Sequence, residues 1–108
     1  MGGMADLAHL DLAAFQASAE DAARLLRALA NERRLMILCQ LGGGERCVGD
    51  LQPHVGLSQS ALSQHLAVLR EEGVVATRRD GQTIWYRIAD PAAAQLIATL
   101  ADIFCPKP

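Results

Sequence analysis

The sequence predicts a mainly α-helical α+β domain that carries one small β-hairpin. Three observations predict it. Apolar residues recur at steps of three and four through most of the chain, the spacing of one helical face. After Gly73 this period gives way to two short runs of strand-like composition around Asp80-Gly81. A helical pattern then returns behind Asp90-Pro91. A length of 108 residues fits one domain, and 51% hydrophobic residues are ample for a packed core. Aromatic residues are only 4%, so that core is built from Ala, Leu, Val and Ile.

The first element, about Asp11 to Leu29, sets Leu12, Phe15, Ala19, Ala22, Leu26 and Leu29 on one face of a helix. Asn31 is a favourable N-cap, with Glu32 in the first turn of a second helix. That helix runs through Leu35, Leu38 and Cys39 to Leu41, where Gly42-Gly43-Gly44 stops it. A short helix follows from about Val48 to His54 and ends near Gly56. Ser58 caps the next helix, with Leu57 and Leu62 at the two positions of a hydrophobic staple. It continues through Leu66 and Leu69 and stops at Gly73. Two helices meeting at Val55-Gly56-Leu57 outline a helix-turn-helix. Val74 to Arg79 and Gln82 to Ile88 read as strands, joined by Asp80-Gly81 in a type I′ turn. The last helix opens with Asp90 as cap and Pro91 in its first position. Its apolar face is Ala93, Leu96, Ile97, Leu100, Ile103 and Phe104, and Pro106 prevents it passing Cys105. A hairpin directly after the second helix of a helix-turn-helix is a wing. The expected fold is a winged helix-turn-helix over residues 11–108, behind a flexible segment at residues 1–10.

Composition excludes several functions. No apolar run approaches the roughly 20 residues of a bilayer span, so no membrane role is expected. Met1 to Leu12 carries Asp6 and Asp11 but no Lys or Arg, unlike a signal peptide, which points to the cytoplasm. Three cysteines (Cys39, Cys47 and Cys105) are an odd, sparse set and not a disulfide scaffold. No nucleophile–base pair, phosphate loop or carboxylate pair stands out, so an enzyme is not expected, and no cofactor is implied.

The net charge of −2 excludes a strongly cationic coat but not a local DNA-reading surface. At 100° per residue, Leu62, Leu66 and Leu69 share a narrow arc, while Ser60 and Gln64 lie almost opposite, beside Ser63. Gln pairs with adenine through two edges, and Ser serves base or phosphate. Gln59, Ser60, Ser63 and Gln64 are the candidate base readers. A polar helix face taken alone is more often only solvated; the cap, turn and hairpin favour DNA here. His65 lies at the edge of the apolar arc, where DNA contact and local packing are equally open to it. Arg70, near the helix end, and Arg78 and Arg79, in the first strand, add positive charge. Arg78 and Arg79 point to opposite faces of a strand, so at most one faces phosphate.

Ala30-Asn31-Glu32-Arg33-Arg34-Leu35-Met36-Ile37-Leu38, Leu57-Ser58-Gln59-Ser60-Ala61-Leu62-Ser63-Gln64-His65-Leu66 and the Arg78-Arg79-Asp80-Gly81-Gln82 wing closely resemble the ArsR/SmtB family of bacterial repressors. The resemblance covers about residues 18–105. It implies a homodimer held by the first and last helices, and binding to a pseudo-palindromic double-stranded operator that an inducer relieves. Two metal sites of that family are broken here. The Cys-Val-Cys of its third helix reads Cys47-Val48-Gly49, and Asp90 to Cys105, where that family's second site uses Asp and His, contains no histidine. His9, His54 and His65 share no ligand spacing. No metal site is therefore assigned.

Leu38-Cys39-Gln40-Leu41 and Ile103-Phe104-Cys105-Pro106 resemble the dithiol of the BigR/SqrR/HlyU and YgaV-like branch of the family. This resemblance implies sensing of persulfides and related reactive sulfur species: Cys39 and Cys105 become linked by a disulfide or polysulfide bridge, and DNA affinity falls. Taken alone, Cys39 reads better as a small core residue; the pair together favours sensing. Two rivals stay open. One is a soft-metal or metalloid-responsive repressor using the same cysteines, with or without Cys47. The other is a winged-helix protein-interaction module that has lost DNA binding.

Overall fold

A computed structural model describes residues 10–105. Most of the segment expected to be flexible, and Pro106, lie outside the described residues. The chain forms α1 (Leu12–Leu29), α2 (Glu32–Leu41), β1 (Arg46–Cys47), α3 (Val48–Val55), α4 (Gln59–Glu71), β2 (Val75–Asp80), β3 (Thr83–Ile88) and α5 (Pro91–Phe104). This is the expected winged helix-turn-helix with one strand more.

The capping residues act as their chemistry predicts. Asp11 accepts from the Ala14 N–H at 3.1 Å, and Asn31 from the N–H groups of Arg33 and Arg34 at 2.9 and 3.1 Å. Ser58 Oγ accepts from Ala61 at 3.1 Å, and Asp90 from Ala92 at 2.9 Å. Each satisfies helix-start donors that would otherwise lack partners. Gly56 closes α3 in the left-handed conformation, with φ 67°. Nothing lies within 4 Å of the Cβ an alanine would add there, so only the backbone opposes one. Gly56→Ala is expected to cost about 1 kcal/mol, read as a fall in Tm of roughly 4–8 °C.

The sheet departs from expectation twice. It has three antiparallel strands in the order β1-β3-β2, with Arg46 opposite Tyr86 and Cys47 opposite Trp85. Two residues show no period of their own; β1 exists only because β3 passes beside it. The hairpin turn is also displaced. Asp80 pairs with Thr83, leaving Gly81 and Gln82 as the loop. Gly81 has φ 64°, and no residue other than glycine has positive φ among the described residues. A positive φ at the first central position alone, on glycine, is the type II′ pattern and not type I′.

The core joins α2, α3, α4 and α5 through Ile37, Leu38, Leu51, Leu62, Leu66, Leu69, Val74 and Ile97. The apolar face of α1 is only partly used. Leu29 is buried, but Leu12, Phe15 and Leu26 are exposed, as are Ile103 and Phe104 at the end of α5. Phe104 is 75% exposed. A large aromatic left in water at the end of an apolar stripe marks a surface suited to a protein partner.

Candidate nucleic-acid interface and dithiol groove

The helix-turn-helix presents one side of α4. Leu62, Leu66 and Leu69 lie wholly buried beneath it, which turns Gln59, Ser60, Ser63 and Gln64 outward to solvent. Arg33 Nη1 donates to the Val55 carbonyl at 3.2 Å and ties the end of α3 to α2. Arg34 is a residue that the sequence reading missed. Its Nε donates to the Ala28 carbonyl at 2.6 Å, and its Nη1 lies 3.5 Å from Nδ1 of His65. Half-buried His65 therefore sits beside Arg34 of α2. Arg70 is exposed on the α4 surface, where it lines a recess with Ser63 and Tyr86.

The two wing arginines have different surroundings. Arg78 Nε donates to both carboxylate oxygens of Glu45, at 2.8 and 2.9 Å. Its guanidinium lies 5.7 Å from the centroid of the Trp85 ring, within cation–π range. Glu45 thus neutralises Arg78, although an exposed pair of this kind contributes at most about 1 kcal/mol. Arg79 Nε donates to the Gly81 carbonyl at 3.1 Å, and its side chain stays on the exposed tip of the wing. Thirty-three residues separate Glu45 from Arg78, so no local pattern announces their contact.

Cys39 projects from α2, and Cys105 caps α5, its N–H donating to the Ala101 carbonyl at 2.9 Å. Both thiols are free and exposed. Both line one groove of about 620 Å³ between α2 and α5, whose floor includes Leu41 and Ile97. They also share a smaller apolar recess with Leu35, Leu100 and Phe104. Burial against this wall pushes the Cys39 thiol above its ordinary pKa, and the charge of Cys105 pushes it further the same way. Cys47 stands apart, in β1 opposite Trp85. Among the described residues, no group of three or more His, Cys, Asp or Glu side chains forms a metal-binding cluster. No helix among them is long and apolar enough to cross a membrane.

An uncharged polar face on the second helix of a helix-turn-helix, followed by a wing with an arginine at its tip, defines a winged-helix DNA-binding regulator. Comparison with known proteins agrees and narrows the class. Residues 31–77 match the bacterial regulatory protein, arsR family. The chain is 48% identical over 97 residues to the HTH-type transcriptional regulator YgaV of Escherichia coli, covering 89% of this chain and 98% of that protein. The structure of the transcriptional repressor BigR from Xylella fastidiosa superposes with a TM-score of 0.83 at 42% identity, over 91% of this chain and all of BigR. Reduced HlyU from Vibrio cholerae gives a TM-score of 0.81 at 44% identity, over 85% of this chain and 97% of HlyU. The chain belongs to the arsR family of transcriptional regulators.

Proposed function

We propose that the protein is a homodimeric, dithiol-based repressor. Reduced, it holds a pseudo-palindromic operator; when a reactive sulfur species links Cys39 to Cys105, it lets go. One observation carries this reading: two free thiols, from α2 and from the end of α5, line the same groove. The similar BigR is a repressor, and HlyU was solved in a reduced form. A cytoplasmic setting keeps the resting thiols reduced.

On DNA, Gln59, Ser60, Ser63 and Gln64 read base edges, while Arg79 and Arg70 hold phosphate. Arg78 braces the wing through Glu45, and His65 supports α4 from below. The exposed apolar residues of α1 and α5 are covered by the second copy, which sets two α4 helices in successive major grooves roughly 34 Å apart. Gln64→Ala is expected to weaken specific binding by about 1–3 kcal/mol per protomer, with little change on non-specific DNA. Arg79→Ala should instead weaken binding to all sequences, and flatten the plot of log affinity against log salt by about one unit per protomer. Titrations of operator and scrambled duplexes at several salt concentrations distinguish the two.

The sulfur chemistry needs no outside oxidant beyond the inducer. Cys39, with its raised pKa, is the poorer first nucleophile. The Cys105 thiolate attacks the outer sulfur of an organic persulfide; the donor's S–S bond breaks, and its thiol leaves with a proton. Cys39 then loses its proton and attacks the inner sulfur on Cys105, expelling hydrosulfide. Two protein thiols are oxidised to a disulfide, and the persulfide is reduced to a thiol and hydrogen sulfide. Longer bridges retain further sulfur atoms. Treating reduced protein with disulfide, peroxide and persulfide donors, and measuring mass and operator affinity together, tests the scheme. A Cys39–Cys105 link with loss of binding supports it. Separate modification of the two thiols, with binding intact, overturns it. Stoichiometric arsenite or zinc binding with DNA release would favour the metalloid reading.

A further inference from the structure

The groove is longer than two sulfur atoms require. Along its α5 wall, Ala94, Ala98 and Ala101 lead to Cys105, a distance of about 16 Å at the helical rise. Their small side chains leave the groove open along that length. Arg87, the penultimate residue of β3 and four residues before α5 begins, lines the same groove. It is the one charged residue among those that line the groove. Arg87 makes no ion pair or side-chain hydrogen bond among the described residues. An unpaired guanidinium beside a mostly apolar groove suits a planar anion, since it offers two parallel N–H donors to a carboxylate. The volume of about 620 Å³ lies within the range of small-molecule sites.

The geometry points to Arg87 as a specificity-determining residue that docks the carboxylate of a peptide-sized organic persulfide, presenting the donor's outer sulfur to Cys105 and Cys39. This rests on the thiol-switch reading above. The length of the groove selects the class of donor. A short extended peptide of three residues spans about 10 Å, and its side chains extend the reach. An inorganic polysulfide has no carboxylate for Arg87 to hold. Arg87 takes no part in the bond-making steps, which stay as written for Cys105 and Cys39.

The test follows bridging by mass spectrometry in single-turnover reactions of the reduced, full-length protein. The donors are glutathione persulfide, its diethyl ester persulfide and inorganic tetrasulfide. Wild type is expected to half-saturate at about tenfold lower concentration with the acid than with the ester. Arg87→Gln should erase that difference by raising the half-saturating concentration of the acid alone, with the limiting rate and the tetrasulfide rate unchanged. Arg87→Lys should restore part of the preference. Arg87 is exposed, so neither variant removes core packing. A tenfold preference that persists in Arg87→Gln, or one absent from wild type while bridging proceeds, overturns the role of Arg87 and leaves the thiol switch standing. Failure of all three donors to bridge wild type overturns both.

Discussion

Cys39→Ser is expected to yield a protein that binds its operator as tightly as wild type and keeps hold of it at persulfide concentrations that release wild type. Serine is nearly the size of cysteine, and the side chain is exposed, so stability should move by no more than about 0.5 kcal/mol. What disappears is the second sulfur of the bridge. Cys105→Ser should behave alike, and the double variant should be no worse than either, because one missing thiol already prevents the link. The route to DNA is short. The Cys39 helix α2 carries Ile37, Leu38 and Leu41 into the same core as Leu62 and Leu66 of α4. In the proposed switch, a bond from α2 to the end of α5 would bias how α4 sits and how the exposed end of α5 meets a second copy. Couplings of this kind change affinity by roughly 5- to 150-fold, well within the range of a mobility-shift titration. Retained response in Cys39→Ser would remove the bridge from the mechanism. Because the Cys39 pKa is raised, wild-type bridging should also accelerate with pH beyond the ordinary thiol range.

Leu66→Ala should be among the most damaging single substitutions on α4. Leu66 has no exposed surface and sits in the one core of the described chain. Truncation loses transfer energy and leaves a cavity, about 2–5 kcal/mol in all, against a total stability of about 5–15 kcal/mol for a small domain. Urea unfolding should show the midpoint falling sharply, with operator binding lost wherever the fold is lost. Gln64→Ala, two positions earlier and on the opposite side, should leave the midpoint unchanged while weakening specific binding. Finding both effects in one variant would mean that the two faces of α4 are not separated as the packing indicates.

The helices were legible because each is announced by its own residues. Asn31, Ser58 and Asp90 are caps whose hydrogen bonds lie within three residues, and Leu62, Leu66 and Leu69 keep helical spacing. The outward set on α4 follows from the same spacing, since burying one arc leaves the opposite arc in water. The hairpin was legible to within one residue. Its turn type was not, because the choice depends on how Asp80 pairs with Thr83 across the strands.

The amino-acid order by itself determined which segments become helices, where they start and stop, and which face of the reading helix stays polar. These are short-range matters of hydrogen bonding and periodicity. Only the tertiary structure decided that Arg46–Cys47 would be a strand, that Glu45 would neutralise Arg78 and leave Arg79 at the tip, and that Cys39, Cys105 and Arg87 would line one groove. Those pairings join residues distant in the chain, whose meeting is set by how buried surfaces pack together and carries no mark in the residues on either side.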